Sequence, residues 1–288
     1  MVKKAAKLKL FFLFVLALIT ATIWSVYFSQ PDEKLNIYFF DVGQGDAELI
    51  QKANWQILVD GGPDDIVIER ISNVMPIDDR KIETIIITHP HADHITGLIE
   101  VINRYEIEKI ILTKVGYESA TYKSLLELID KKKIKTITPK IGDVEYLFDQ
   151  GKITYLWPGE EVSRFENNLN NSSIVFRFDY GDFNCIFSGD AEIESWTEIF
   201  KKQKNNLPDI DVIKIPHHGS RTGLNENMTN IMRPDIAIIS LGINNKYGFP
   251  HQEILDILAK NKTRVYRTDQ DKSINIRTDG KNYEIKTF

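Results

Sequence analysis

Cysteine is nearly absent from this sequence, since Cys185 is the single one among 288 residues. An intrachain disulfide is therefore excluded, and with it the small scaffolds that depend on disulfides. Proline and glycine are also sparse, at 10 and 16 residues, and 42% of the chain is hydrophobic, which excludes collagen-like and disordered chains. Cys185 alternates with Phe183 and Phe187, so we expect it in the core of the fold.

A surplus of positive charge is missing as well, because the formal net charge is −5. Residues 1–29 contain four lysines and no acidic residue, which leaves 32 basic and 41 acidic residues in the remainder. A body this acidic does not attract nucleic acid through its overall charge. Any anionic substrate must be bound locally, by a metal ion or by a small basic patch.

One long hydrophobic run lies near the N-terminus, at residues 10–28, and it contains no charged residue. As a helix it spans roughly 28 Å, close to the hydrocarbon core of a bilayer. The lysines before it predict a cytoplasmic N-terminus and an exported body. We therefore predict a single transmembrane anchor in residues 1–30, a cell-membrane location, and residues 35–288 outside the cytoplasm. The alternatives are a cleaved signal peptide, which would make the protein secreted, and a misread buried helix.

The body, residues 35–288, shows no repeat and no internal linker, and we interpret it as one domain. Strands come first, followed by strand–helix units, more strands and more strand–helix units, a pattern typical of an α/β fold. The helices of the body are predicted near residues 65–73, 97–104, 122–132, 191–202 and 252–260. Two such halves could pack their sheets face to face with the helices outside. Residues 173–188 predict a hairpin in which Ile174, Phe176 and Phe178 share one face.

The strongest chemical signal is the segment THPHADH, residues 88–94, which follows a short strand of β-branched residues. A loop at a strand end can aim alternate side chains into one pocket. His89 and His91 could hold one metal ion, and Asp93 and His94 a second. Imidazole and carboxylate ligands suit Zn²⁺, with Mn²⁺ and Fe²⁺ as alternatives. A surface cluster without a role is the competing interpretation.

Asp190 is the next candidate, because it follows the apolar strand 183–187. A carboxylate at a strand end can bridge two metal ions. The alternative is that Asp190 only caps the helix predicted at 191–202. Asp60, in a turn after another strand, is expected to orient a metal-bound histidine.

Two adjacent histidines, His217 and His218, follow the apolar strand 212–215. One could bind metal while its neighbour contacts the substrate or the leaving group. A purely structural pair, one buried and one exposed, is the alternative. His251 is a weaker candidate, which either belongs to the site or lies at the surface where a helix begins.

Several further motifs accompany HPHADH in a fixed order. They are FFDVGQGDAELI (39–50), SIVFRFDYGDFNCIFSGDAE (173–192), DVIKIPHHGS (211–220), NNKYGFPHQE (244–253) and YRTDQDKSINIRTDG (266–280). Together they resemble the metallo-β-lactamase family, and within it the hydrolase domain of ComEC-type competence proteins, over about residues 36–281. The resemblance implies a four-layer αβ/βα sandwich with a metal site at the edge between two sheets.

The same resemblance implies a set of metal ligands. His89 and His91 would bind the first ion. Asp93 and His94 would bind the second, and Asp190 would bridge the two. We therefore expect two divalent ions, Zn²⁺ or alternatively Mn²⁺.

The resemblance assigns the last ligand to one of His217 and His218, and substrate contact to the other.

The sequence departs from the family in lacking a third histidine for the first metal. Asn170 is the nearest match there, and an amide oxygen binds zinc less well than imidazole, so the first ion would be weakly held or would be Mn²⁺. Phe249 stands where the ComEC-type branch often has histidine. With one candidate membrane helix, DNA transport by the chain alone is not expected.

The expected chemistry is phosphodiester hydrolysis, with DNA among the candidate substrates. Two metal ions lower the pKa of a bound water from 15.7 toward about 7. Asp93 would orient this nucleophile, and His217 or His218 would stabilise or protonate the leaving oxygen. Ser220, Lys214 and Arg221 lie close in the sequence and could contact the phosphate. The alternatives are a surface hydrolase of phosphorylcholine esters, which would need an aromatic cage, and a non-catalytic binding domain. The sequence indicates no protein partner.

Overall fold

The computed structural model of the protein describes residues 2–28, 34–113, 115–159, 168–204, 207 and 209–288. Within these ranges the strands are β1 (Leu35–Phe39), β2 (Glu48–Lys52), β3 (Trp55–Val59), β4 (Lys81–Ile87), β5 (Glu106–Leu112), β6 (Lys135–Ile137), β7 (Val144–Tyr146), β8 (Gly151–Trp157), β9 (Val175–Tyr180), β10 (Phe183–Phe187), β11 (Val212–Lys214), β12 (Ile236–Ile239), β13 (Arg264–Arg267), β14 (Ile274–Thr278) and β15 (Tyr283–Thr287). The helices are α1 (Val2–Phe28), α2 (Ile66–Ser72), α3 (Ala92–Arg104), α4 (Ala120–Lys132), α5 (Ile193–Lys202), α6 (Glu226–Met232), α7 (Gln252–Lys260) and α8 (Thr268–Asp271). Short 3₁₀ helices lie at Leu169–Ser172 and Pro216–Gly219.

Two mixed β-sheets occupy the centre of the fold. The first has the strand order β15-β14-β1-β2-β3-β4-β5-β6, and the second has the order β13-β12-β11-β10-β9-β8-β7. Strands β3 to β6 are parallel neighbours in the first sheet, as are β10 to β13 in the second. Parallel neighbours need a crossover connection, and the helices between these strands supply it. The other neighbouring strands run antiparallel.

Apolar side chains from both sheets meet in an inner core. The ring of Phe187 in the second sheet stacks on Phe39 of the first sheet, with centroids 5.9 Å apart, and on Phe176 at 4.8 Å. Cys185 is fully buried in this core, as predicted. Strands β9 and β10 form the predicted hairpin, and alternate β9 residues fill the core because a strand exposes every second side chain to the same face.

Helices cover the outer faces of both sheets. The buried faces of α2, α3 and α4 pack on the first sheet, and those of α5, α6 and α7 on the second. The layers are therefore helices, sheet, sheet, helices. The predicted four-layer αβ/βα sandwich is confirmed.

Two helices differ from the prediction. Helix α3 begins at Ala92, whereas the apolar pattern predicted a start near Gly97. Its first turn, Ala92-Asp93-His94, is polar because it faces the candidate site, so hydrophobic periodicity could not reveal it. Helix α6 was not predicted; the side chain of Asn225 caps it by accepting a hydrogen bond from the N–H of Met228 at 3.0 Å.

The N-terminal segment forms helix α1, of which the side chains of residues 7 and 9–24 are described. Its large apolar side chains are exposed, for example Leu10 at 71% and Phe14 at 65%. Among the described residues, however, no helix has both the length and the apolar character required to cross a membrane. The structure therefore does not support the transmembrane part of the predicted fold. Residues 29–33, predicted to join the anchor to the body, lie outside the described ranges.

Candidate functional site

The candidate site lies where both sheets end at the same edge of the sandwich. Strand β4 runs directly into His89, β10 into Asp190, and β11 into His217 and His218. Because β10 and β11 are parallel, their carboxyl ends meet at one edge, where open α/β sheets place their ligand sites. Segments far apart in the sequence are thereby brought together.

Asp190 is at the centre of the cluster and is 3% exposed. Its Oδ2 lies 3.8 Å from Nε2 of His89, 3.4 Å from Nε2 of His94 and 3.6 Å from Nε2 of His218. The alternative role of Asp190 as a helix cap is wrong, because α5 begins at Ile193 with Glu192 in the cap position. A central carboxylate of this kind is suited to bridging two cations.

A second group of ligand atoms overlaps the first. Oδ2 of Asp93 lies 3.4 Å from Nε2 of His218 and 4.0 Å from Nε2 of His94. The groups His89–His94–Asp190 and Asp93–His94–His218 each have their ligand atoms within 4.8 Å of one another. Five of the seven predicted ligands therefore converge. Whether they bind metal stays a prediction.

Two of these histidines are held in a fixed orientation by their Nδ1 atoms. In His94, Nδ1 donates to Oδ2 of Asp60 at 2.7 Å, and in His218 it donates to the carbonyl of Ser240 at 2.8 Å. The contact from Asp60 agrees with the prediction from the sequence that Asp60 orients a histidine of the site. Ligating histidines commonly donate their second nitrogen to a carboxylate or carbonyl in this way.

Among the residues that the structure describes, the opposite ring nitrogens have no hydrogen-bond partner. Nε2 of His94 and Nε2 of His218 are both buried and unpartnered, although both point toward Asp190. A buried polar atom without a partner is costly, and a metal ion would satisfy both nitrogens together. The residues present therefore fit a divalent cation.

The charges around the cluster support the same fit. Burial opposes ionisation of Asp190, but the adjacent imidazoles outweigh it and hold its pKa well below the usual value. Burial acts to lower the pKa of His218, whereas the carboxylates of Asp190 and Asp46 raise it to about 10. Burial lowers the pKa of His89 well below its usual value, which leaves the neutral imidazole that binds metals. The carboxylates of the cluster therefore favour nearby positive charge, which a bound cation would supply.

The remaining two predicted ligands lie outside these groups. Nδ1 of His91 faces Nε2 of His89 at 3.0 Å, and its ring is half-buried. Nδ1 of His217 lies 3.1 Å from Oε1 of Glu192 and 3.1 Å from the hydroxyl of Thr222. Of the adjacent pair, the structure thus places His218 in the cluster and directs His217 to a separate network. His91 and His217 still line the cavity of the site.

The network around His217 includes Asn170, which the sequence offers as the nearest match to the family's third histidine. Nδ2 of Asn170 donates to Oε1 of Glu192 at 3.2 Å and lies 3.4 Å from the ring of His217. Burial acts to raise the pKa of Glu192, but hydrogen bonds from His217 and its neighbours outweigh it and lower the pKa to about 2. Sequence reasoning missed Glu192, because its neighbourhood read only as the start of a helix.

Two other buried charges lie behind the cluster, and sequence reasoning missed the pair that they form. Lys214 is 1% exposed, forms an ion pair with Asp46 and donates to the carbonyl of Gly189 at 2.9 Å. The interpretation of Lys214 as a phosphate contact is wrong, because its ammonium is enclosed behind the cluster. Asp46 lies in a Gly-rich turn that predicted only a hairpin loop. Its acidic side chain before β2 was the one available signal.

The cluster forms one wall of a cavity of about 310 Å³. Its other walls are His91, His217, Asn170, Gln44, Tyr247 and Phe249. His251 does not line it; its Nδ1 accepts a hydrogen bond from the backbone N–H of Arg221 at 3.0 Å, so it supports the adjoining loop.

Comparison with known proteins places this arrangement in a family. A family model described as the metallo-beta-lactamase superfamily matches residues 40–243. ComE operon protein 3 of Bacillus subtilis is 30% identical over 201 residues, which cover 69% of this chain and 25% of that protein. Recombination protein 2 of Haemophilus influenzae is 28% identical over 233 residues, covering 79% and 27%. The chain thus spans about a quarter of the length of these relatives.

Solved structures agree on the fold. The metallo-beta-lactamase fold protein YhfI of Bacillus subtilis aligns with a TM-score of 0.54 and 13% identity, covering 83% of this chain and 98% of that one. CmlA, a diiron beta-hydroxylase of Streptomyces venezuelae, aligns with a TM-score of 0.55 and 15% identity, covering 86% and 55%. At identities this low, the structural similarity shows the fold alone. With the model match over most of the body and competence proteins among the relatives, the resemblance found in the sequence is confirmed: the chain belongs to the metallo-β-lactamase superfamily.

Proposed function

We propose that this protein is a metal-dependent phosphodiesterase and that DNA is its substrate. One observation carries the proposal: unpartnered imidazole nitrogens of His94 and His218 converge with Asp93 and Asp190 at an open cavity. Membership of the superfamily supports metal-dependent hydrolysis. The competence-related names of the relatives support a role near DNA.

The metal would be held by the five convergent residues, His89, Asp93, His94, Asp190 and His218. Bound divalent ions, which we propose to be two Zn²⁺ or Mn²⁺, supply a water of lowered pKa and neutralise the phosphoryl oxygens. This explains how an acidic domain could bind an anionic substrate, because the bound ions would supply positive charge at the site.

The chain's own residues have distinct tasks in this proposal. Asp93 is 34% exposed at its side chain and lines the cavity, so it can accept a hydrogen bond from the attacking water and orient it. His217 lines the same cavity, and Glu192 and Thr222 fix its ring, so it can contact the leaving oxygen. Lys214 holds Asp46 behind the cluster and keeps the carboxylates in place.

The phosphorylcholine alternative is less well supported by the aromatic residues. Tyr247 and Phe249 are nearly parallel, at 17°, whereas a cage needs faces that converge on one point. In addition, Nζ of Lys246 lies 5.2 Å from the Tyr247 ring centroid and would repel a quaternary ammonium. A phosphodiester with planar substituents fits these residues better.

We also propose that α1 attaches the protein to a membrane, with the body outside the cytoplasm. The exposed apolar side chains between Leu10 and Trp24 support attachment, since a large exposed apolar surface is typical of a site that binds a membrane or another protein. The lysines before them support the orientation. Flotation of the chain with liposomes checks the attachment, and its failure would contradict it.

The phosphodiesterase is tested with the full chain, purified without chelator and assayed against single- and double-stranded DNA and bis-p-nitrophenyl phosphate with Zn²⁺ or Mn²⁺. We expect hydrolysis that EDTA and Asp93→Ala both abolish. Asp182→Ala, in the exposed turn between β9 and β10, is the matched control and should retain activity. Equal activity in wild type and Asp93→Ala, or activity in the metal-stripped chain, would overturn the proposal.

A further inference from the structure

The loop 244–249 presents an aromatic stack beside the cluster. The rings of Tyr247 and Phe249 have centroids 5.4 Å apart, and the Phe249 ring in turn lies 6.3 Å from His218 at an interplanar angle of 29°. Tyr247 is 52% exposed, whereas Phe249 is partly buried. The stack therefore leads from solvent to a residue of the candidate metal centre.

Hydrogen bonds within the loop hold this stack in place. Oδ1 of Asn245 accepts from the N–H of Phe249 at 2.9 Å, and its Nδ2 donates to the carbonyl of Phe249 at 2.8 Å. The loop also reaches a positive φ of 71° at Gly248, a conformation that favours glycine. The exposed ring of Tyr247 is thus positioned before any ligand arrives.

A second cavity extends the first one along this loop. It measures about 520 Å³ and shares Gln44, Ala92, Asp93 and Tyr247 with the cavity at the cluster. Lys246 and the amides of Asn244 and Asn245 line its other side. A substrate whose phosphate lies at the cluster would therefore continue past Tyr247 and reach a cation.

We propose that Tyr247 determines substrate specificity by stacking on an unpaired base next to the scissile phosphate of a DNA strand, while Lys246 pairs with the following phosphate. This inference rests on the proposed phosphodiesterase function and names its substrate as single-stranded DNA. An aromatic face with an adjacent cation matches a nucleotide, which alternates a planar base with a negative phosphate. Inside a duplex both faces of each base are already stacked, so away from duplex ends Tyr247 can engage only an unpaired base.

The test compares two oligonucleotides of equal length, one intact and one in which every nucleotide lacks its base. Both carry the same phosphates, so their cleavage ratio isolates the contribution of the bases. We expect the full-length wild type to favour the intact strand about tenfold in kcat/KM, as stacking contributions suggest. Tyr247→Ala should bring this ratio close to one, and Tyr247→Phe should preserve it.

Tyr146→Ala is the matched control, because Tyr146 is an 81% exposed aromatic residue on β7 that lines neither of the two cavities. It should leave the ratio unchanged. Lys246→Gln should weaken the dependence of KM on salt without abolishing the preference for bases.

The failures of the two proposals are distinguishable. If wild type cleaves intact and base-free strands equally well, or if Tyr247→Ala slows both to the same extent, the stacking proposal is overturned and the phosphodiesterase stands. If wild type cleaves neither strand nor bis-p-nitrophenyl phosphate, the proposed function itself is wrong, and the stacking proposal falls with it.

Discussion

At the scale of single residues, the site depends on buried side chains that contact the predicted ligands without lining the cavity. Asp60 is fully buried and its carboxylate accepts three hydrogen bonds, two from Thr88 and one from His94. Such carboxylates fix the ring orientation of a ligating histidine and increase its basicity. Their contribution should be visible in metal affinity rather than in the fold.

We therefore predict that Asp60→Asn weakens metal binding by about 10- to 100-fold, because His94 loses its anionic partner. The measurement is a competition titration of Zn²⁺ against a chromophoric chelator. Asp65→Asn is the control, since Asp65 is exposed at the start of α2 and makes no capping hydrogen bond. Equal affinities for Asp60→Asn and wild type would contradict the role of Asp60.

A second prediction concerns the buried ion pair between Lys214 and Asp46. Lys214→Met should lower the free energy of unfolding by about 3–5 kcal/mol, because it leaves a buried carboxylate without its cation. Urea unfolding in the presence of EDTA measures this without a contribution from metal. Lys152→Met is the control; its pair with Asp179 at 3.4 Å is partly exposed, and a change within about 1 kcal/mol is expected. Similar losses in both variants would show that burial is not the cause.

At the scale of elements, helix α3 carries Asp93 and His94 and must lie very close to the loop after β3. A Cβ added at Gly97 would come within 2.1 Å of the carbonyl oxygen of Gly61 and 2.3 Å of that of Asp64. Only glycine permits this approach. The position of the first turn of α3, and so of both side chains, depends on it.

Gly97→Ala is accordingly expected to destabilise the protein by about 1–3 kcal/mol and to lower its metal content, because the helix must move away from the loop. Thermal unfolding and metal analysis of the purified variant check both effects. Gly116→Ala, at a position with open space around the added Cβ, should behave like wild type. An unchanged melting temperature in Gly97→Ala would show that the helix can shift without cost.

The elements also show which parts of the fold could be predicted. Strands such as β4 and β10 could be predicted because short runs rich in β-branched or aromatic residues favour a strand over a helix. The short α6 lacks such a run, and the polar first turn of α3 breaks the periodicity. The ligand cluster was predicted through local motifs. The partnerships of Asp46 with Lys214, and of Glu192 with His217, join distant segments, and no local pattern specifies them.

At the scale of the whole molecule, the inner core encloses the sole cysteine of the chain. Cys185 lies in the middle of β10, and burial raises the pKa of its thiol well above the usual value. Only the thiolate reacts readily with disulfide reagents. We predict no reaction of the native chain with Ellman's reagent at pH 8, and one thiol per chain after unfolding in guanidinium chloride. Labelling of the folded chain within seconds would contradict a closed core.

The position of β1 has a consequence for how the chain acquires its structure. β1 pairs with β2 on one side and with β14 on the other, so one of its edges is completed only by residues 274–278. Contacts between such distant segments give a high contact order, which slows folding. During synthesis the first sheet cannot close until residues 274–278 have left the ribosome. Until then the open edge of β1 is a template for pairing with other chains, so nascent copies of this protein would depend on chaperones.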